Sequence, residues 1–279
     1  MSLVIASLNS GSNGNCYYAG CGQDGILVDA GISCRETEKR MKRLGLSMKD
    51  IKAVFISHEH TDHISGLPRL AAKYQLPVYI TGSTSRACGL APDAYQLIPF
   101  TEDSPIRIGE MTITAFPKFH DACDPYSFVV SSSSVRVGIF TDIGKVCPQL
   151  IKYFQQCHAV FLESNYDEGM LEQGTYPLHL KNRIRGGSGH LSNREALKLV
   201  MDYKPAFMSH IFLSHLSKNN NDPELVYDLF SKKIKDAQIV VASRYEETAL
   251  YPIAANPSAN NKALTIKSAG KLERQLSLF

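Results

Sequence analysis

Brief apolar runs alternate with amphipathic stretches along this chain. Residues 3–7 read as a first strand, followed by a loop of small polar residues at 9–15. Runs at 16–18 and 26–29 predict a hairpin. Ser33 stands as an N-cap, opening a helix that ends near Gly45. A buried strand is expected at 50–57, a short helix at 66–74 with Pro68 in its first turn, and another strand at 77–80. From Ile106 the pattern turns β-rich, and 111–116, 127–131 and 135–141 predict a meander. A helix at 149–157 and a strand at 159–163 come next. Ser192 caps a helix through Tyr203, a strand is expected at 206–213, Asp222-Pro223 opens another helix, and the last strand is at 238–243. Consecutive strands without helices between them fit a layered α/β fold with two β-rich halves better than a βαβ barrel. The polar, basic character of the chain from Ala254 predicts one domain over 1–253 and a tail over 254–279.

The strand at 50–57 runs straight into His58-Glu59-His60-Thr61-Asp62-His63. Imidazole and carboxylate are ligands for divalent cations. His58 and His60, two apart, reach one ion, while Asp62 and His63 turn toward a second. Without a cation, several of these donors and acceptors would lack partners. Two ions need further ligands, and three later residues each end an apolar strand: His120, Asp142 and His215. Glu59 and Thr61 fill spacer positions and are expected to support the ligands. His158 and His210 lie within apolar runs and read as structural.

Composition narrows the class. With 44% hydrophobic and 20% charged residues in 279, the chain is an ordinary globular protein. A net charge of +3 names no polyanionic partner. The seven cysteines are odd in number and include no C-x-x-C pair, so reduced thiols and a cytoplasmic location are expected. No apolar run approaches the ~20 residues of a membrane span, and no secretory signal is visible at the start. No membrane partner is expected.

The pattern H-x-H-x-D-H, met by His58, His60, Asp62 and His63, resembles the metallo-β-lactamase superfamily. The resemblance implies an αβ/βα sandwich, two mixed β-sheets flanked by helices, with the site at one edge. It implies that His58, His60 and His120 hold one ion, that Asp62, His63 and His215 hold the other, and that Asp142 bridges them. A bridging Asp is similar to the glyoxalase II and nuclease branches. Gly189-His190-Leu191-Ser192 and Leu213-Ser214-His215-Leu216-Ser217 are similar to elements of tRNA 3′-processing nucleases. In those enzymes the first histidine serves near the leaving group, which assigns that role to His190 with Glu163 as its partner. Gly11-Ser12-Asn13-Gly14-Asn15-Cys16, Leu162-Glu163-Ser164-Asn165-Tyr166-Asp167 and the Gly-His-Leu-Ser-Asn stretch look like the YycJ/WalJ family. That likeness implies a DNA exonuclease working from 5′ ends, in replication or repair. No long insertion separates Asp142 from His215, so a β-CASP domain is not expected.

The expected reaction is attack on phosphorus by a hydroxide held between two divalent ions, Zn, Mn or Fe. His190, Asp62 and Glu163 are the expected catalytic residues, His190 as general acid. Lys181, Arg183 and Arg185, beside two glycines, suit phosphate contacts. Ser12, Asn13 and Asn15 could cradle a terminal phosphate. The end of the chain, Gln275-Leu276-Ser277-Leu278-Phe279, resembles the peptide by which bacterial replication proteins dock on the sliding clamp, with Gln275, Leu276, Leu278 and Phe279 as the contacts. The same ligands could instead serve a thioester or lactone hydrolase, or a tRNA-processing RNase. A non-catalytic adaptor is a third class, which the intact ligand set opposes.

Overall fold

In the computed structural model, which describes residues 2–90, 96–102 and 104–255, the short apolar runs become strands buried on both faces. In chain order come β1 (Leu3–Asn9), β2 (Cys16–Cys21), β3 (Asp24–Val28), α1 (Cys34–Arg43), β4 (Ile51–Phe55), α2 (Thr61–Ile64), α3 (Leu67–Tyr74), β5 (Val78–Tyr79), α4 (Gly82–Ala87) and β6 (Leu97–Ile98). They are followed by β7 (Ile106–Ile108), β8 (Met111–Pro117), β9 (Tyr126–Ser132), β10 (Val135–Phe140), α5 (Pro148–Phe154), β11 (Ala159–Glu163), α6 (Glu168–Gln173), α7 (Leu178–Arg185), α8 (Asn193–Tyr203), β12 (His210–Ser214), α9 (Pro223–Ser231), β13 (Gln238–Val241) and β14 (Tyr251–Ile253).

Among the described residues these form two seven-stranded sheets, ordered β14-β1-β2-β3-β4-β5-β6 and β13-β12-β11-β10-β9-β8-β7. Each sheet is antiparallel at one end and parallel at the other, the change falling at β3 in the first and β10 in the second. One core lies between the sheets, where Phe55, Phe128, Phe161 and Phe212 meet. A second packs α5, α8 and α9 onto the outer face of one sheet through Phe154, Leu199 and Phe230. A third packs α1 and α3 onto the other through Met41 and Leu70. The result is the four-layer αβ/βα sandwich.

This topology decides where a site can form. The strands β10, β11 and β12 are mutually parallel, as are β3 and β4, and β8 runs in the direction of β10 because two antiparallel pairings separate them. Residues just past the carboxyl ends of these strands therefore gather at one edge, where ligands bind in open α/β sheets.

Two readings of the pattern differ from the structure. Residues 206–209 are not strand: a turn from Pro205, whose carbonyl accepts from Met208 N–H, delays β12 until His210 can pair with Ala159. The run after 243 contains one more strand, β14, paired antiparallel with β1. The tail residues 256–279, including the clamp-like tip, lie outside the described residues. Among the described residues no helix is long and apolar enough to cross a membrane.

Candidate metal centre

Five imidazoles converge at this edge, and the hydrogen bonds around four of them leave one ring nitrogen of each facing inward. The Nδ1 of His58 lies 2.9 Å from Ser57 Oγ, that of His63 2.7 Å from Asp29 Oδ2, that of His120 3.0 Å from the Gly189 carbonyl, and that of His215 3.0 Å from Glu163 Oε1. Acceptors at Nδ1 fix the tautomer and aim Nε2 at the centre, the arrangement that supports metal-ligating histidines. The Nε2 atoms of His58 and His120 then sit 3.1 and 3.3 Å from Nδ1 of His60. Three nitrogen lone pairs facing one another at that range repel unless a cation or a proton lies among them.

The acidic side completes the cluster. Asp62 Oδ2 lies 3.4 Å from His215 Nε2 and 3.6 Å from His63 Nε2. Asp142 stands between the groups: its Oδ2 is 3.2 Å from His63 Nε2, and its Oδ1 is 3.5 Å from His215 Nδ1 and 3.7 Å from His120 Nε2. That Oδ2 is buried and makes no hydrogen bond, an orphaned acceptor of the kind a bound cation would satisfy. Candidate ligand atoms lie within 4.8 Å of one another in the sets His58–His60–His120, Asp62–His63–His215, His58–His63–Asp142 and Asp142–Glu163–His190–His215. All seven ligands expected from the sequence are thus brought together. Asp29, Asp142 and Glu163 are buried and Asp62 is partly so, against one buried lysine, Lys118, whose Nζ donates to the Thr141 carbonyl at 2.8 Å. The donor set and this negative excess fit divalent cations.

Three residues of this site adopt positive φ without being glycine: Asp29 at 61°, Asp142 at 55° and His215 at 58°. Left-handed geometry costs Asp and His less than bulkier residues but remains uncommon. It turns each chain sharply at a strand end and aims the side chain across the edge. Close packing constrains the backbone too. A Cβ on Gly31 would lie 1.7 Å from the Asp62 carbonyl, so only glycine lets β3's exit press against the ligand turn.

The electrostatics separate the imidazoles into two kinds when no cation is bound. Burial keeps His58 neutral, its pKa well below the usual value, and burial lowers His120 to about 4. Burial opposes charge on His63 as well, but Asp142, Asp29 and Asp62 override it and raise its pKa to about 10. His215 is likewise driven well above the usual value, by Asp142, Asp62 and Glu163 acting against burial. The His63 and His215 protons therefore stabilise the metal-free fold below the unfolded histidine pKa of ~6.5, and for His63 that contribution is lost as pH rises through about 10. A cation entering the Asp62–His63–His215 group must displace them. Metal affinity there should rise with pH by about tenfold per unit for each proton released. Calorimetric Zn²⁺ titrations of chelator-stripped protein, in buffers of different ionisation enthalpy at neutral pH, should show proton release. Uptake with none would contradict the charge assignment.

His190 and Glu163 also meet. His190 Nδ1 lies 2.8 Å from Glu163 Oε1, and its ring is partly exposed beside those of His120 and His215. Glu163 Oε2 accepts from the backbone N–H groups of Ile143 at 2.6 Å and Leu191 at 3.2 Å. Burial alone would raise the Glu163 pKa, but His190 and the hydrogen bonds from His190 and His215 lower it to about 2. One buried carboxylate thus holds both a ligand and the outer histidine.

The candidate phosphate residues divide. Arg183 pairs with Asp121, the neighbour of His120, which places it at the rim of the centre. Lys181 and Arg185 lie on the same exposed helix, α7, but bind the Glu172 carbonyl and the Glu172 carboxylate on and beside α6. Ser12 and Asn13 are exposed in the early loop and contact Arg244. Asn15 is buried instead: its amide nitrogen lies 3.2 Å from Asp62 Oδ2 and 3.1 Å from His63 Nε2, so its side chain braces ligands. Glu59 accepts from Cys123 N–H at 2.8 Å and ties down the loop after His120.

Asp29 and Lys118 escaped the sequence reading. Asp29 accepts from Ser57 N–H, Ser57 Oγ and His63 Nδ1. Its signal was available, because Ile26-Leu27-Val28-Asp29 repeats the apolar-strand-then-acid pattern that marks Asp142.

Residues 25–213 match the family model of the β-lactamase superfamily domain. The chain is 34% identical over 250 residues to the exodeoxyribonuclease YycJ of Bacillus anthracis, covering 88% of this chain and 94% of that one. It is 29% identical over 255 residues to the exodeoxyribonuclease WalJ of Streptococcus pneumoniae serotype 2, covering 90% and 95%. Among solved structures, the metallo-β-lactamase fold protein YhfI of Bacillus subtilis superposes with a TM-score of 0.70 at 18% identity, covering 90% of this chain and 100% of that one, a likeness of fold.

Proposed function

Because the chain belongs to the metallo-β-lactamase superfamily and, within it, to the YycJ/WalJ family of metal-dependent hydrolases, we propose that it is a two-cation DNA exonuclease that degrades strands from the 5′ end in replication or repair. The observation that carries this reading is the inward-facing set of imidazole nitrogens closed by Asp142, joined to an exodeoxyribonuclease relative that it matches over nearly its whole length.

Divalent cations bound at this cluster supply the positive charge that activates water and neutralises phosphate oxygens. His58, His60 and His120 are the ligands proposed for one, Asp62, His63 and His215 for the other, with Asp142 shared. The remaining chemistry belongs to the chain. Attack at phosphorus breaks the P–O3′ bond, and the departing O3′ needs a proton. His190 is proposed to give it: Glu163 holds Nδ1 at 2.8 Å, and the ring is partly exposed. Arg183, at the rim, is proposed to leave Asp121 for a backbone phosphate, and Lys181 and Arg185 to extend that track along α7. Ser12 and Asn13 are proposed to meet a phosphate of the strand on the opposite side.

Direction is tested by end-labelling. Linear DNA carrying a label on its 5′-terminal nucleotide should release that label as mononucleotide before a 3′ label is lost. Release of the 3′ label first would overturn the polarity.

The terminal Gln275-Leu276-Ser277-Leu278-Phe279 is proposed to dock on the sliding clamp as an extended peptide, with Leu276, Leu278 and Phe279 entering an apolar pocket and Gln275 fixing register. Deleting these five residues should abolish capture by immobilised clamp while leaving cleavage of short DNA intact. Capture that survives the deletion would refute the docking.

A further inference from the structure

A cavity of about 220 Å³ opens beside His215, between the loop after β12 and the run after β13, and neither the ligands nor His190 line it. Its walls are Leu216, Val241 and neighbouring apolar groups, and its rim carries Lys218, Arg244 and Tyr245. Ser10 joins it to the metal centre: Ser10 N–H donates to the Ser243 carbonyl at 3.1 Å, and Ser10 Oγ accepts from His215 N–H at 2.8 Å. The first residue after His215 is itself a wall.

Two features show what this cavity takes. Arg244 lines the cavity and is held in place, its Nη2 donating to Ser12 Oγ at 2.9 Å and its carbonyl accepting from the Asn13 amide at 2.8 Å, and its side-chain partners, Ser12 and Asn13, are both neutral. A fixed guanidinium held by neutral partners suits an anion. Tyr245 is 71% exposed and so is a ring on offer rather than a part of the core. At about 220 Å³ the cavity is smaller than the ~300–1,000 Å³ pockets of drug-sized ligands and has room for one small ring system.

We infer that this cavity binds one nucleotide of the substrate strand, its base between the apolar wall and Tyr245 and its phosphate on Arg244 and Lys218. The inference rests on the nucleic-acid reading given above and adds a base-holding subsite to it. Stacking tolerates any base, since each presents a π-face, so the subsite would grip the strand without selecting sequence. The phosphate on Arg244 would lie next to Ser12 and Asn13, while Ser10 passes the position of the loop to His215.

Calorimetric titration of the metal-loaded full chain with deoxyadenosine 5′-monophosphate, and separately with deoxyribose 5-phosphate, tests this apart from catalysis. The nucleotide should bind about ten- to a hundredfold more tightly than the sugar phosphate. Tyr245→Ala should remove that difference and Tyr245→Phe should keep it, while Arg244→Ala should weaken both ligands. Tyr245 is exposed, so its variants fold even if Arg244→Ala disturbs the loop. Equal affinity for the two ligands in the unaltered protein, or a nucleotide affinity that Tyr245→Ala leaves unmoved, would overturn the inference. If the nucleotide shows the expected pattern while DNA is not cut, the subsite stands and the nuclease reading falls.

Discussion

Asp142→Asn should abolish DNA hydrolysis, lowering kcat on the order of a thousandfold or more. Among the described residues Asp142 is the one carboxylate within reach of both groups of imidazoles, and its Oδ2 has no hydrogen bond to lose. Removing a ligand shared by two cations forfeits several kcal/mol of charge stabilisation, and about 4 kcal/mol corresponds to that factor. The substitution also acts on the metal-free protein. Burial would raise the Asp142 pKa, but His215, His63 and Lys118 reverse this and hold it well below the usual carboxylate range. Its charge therefore contributes stability above the unfolded aspartate pKa of ~3.9, and that contribution is lost as pH falls through the lower folded value. An amide leaves the charges on His63 and His215 less well compensated, which for a buried pair costs about 3–5 kcal/mol. Metal content by atomic emission and thermal unfolding of the stripped protein measure the two effects separately. A variant that retained full metal content and full activity would remove Asp142 from the centre.

His190→Ala should lower kcat by about 10²–10⁴-fold with metal content unchanged. His190 is not one of the seven expected ligands, although a ring nitrogen lies within 4.8 Å of ligand atoms of Asp142, Glu163 and His215; with Nδ1 held by Glu163, its proposed role is that of proton donor rather than ligand. Glu163→Gln is the instructive companion. Glu163 Oε1 serves both His190 and His215, so this variant should reduce metal affinity as well as rate. Equal metal loss in His190→Ala and Glu163→Gln would place His190 among the ligands and contradict its role as acid.

Much of this centre was legible because ligands need to be near strand ends and strand ends show in an apolar pattern. His58 to His63 form a local motif, and His120, Asp142 and His215 each close an apolar run, so one rule singles out seven residues that the structure brings to one edge. The same rule applied to Asp29 would have found the partner of His63, but a supporting residue is defined by approach across β3 and β4, not by spacing. Asn15 was misdirected for a related reason: a small polar loop reads as exposed, and nothing local shows that the amide is buried against Asp62. Strands without helices between them pointed to a layered α/β fold with β-rich halves, and the αβ/βα sandwich itself came from the resemblance carried by His58, His60, Asp62 and His63. The short pieces α2, α4, β6 and β7 were not legible, since two to six residues carry too little periodicity. The basic residues of α7 were visible as a cluster, whereas their partners, Asp121 and Glu172, depended on how α7 folds back.

These side chains are proposed to hold a pair of divalent cations that the chain uses to cut DNA. Chelator-stripped protein, titrated with Mn²⁺ while shortening of 5′-labelled DNA is followed, tests it most directly. The rate should be negligible without metal, rise on addition and saturate at two equivalents bound. Shortening that persists in the stripped protein, or none at any Mn²⁺ or Zn²⁺ level, would contradict it.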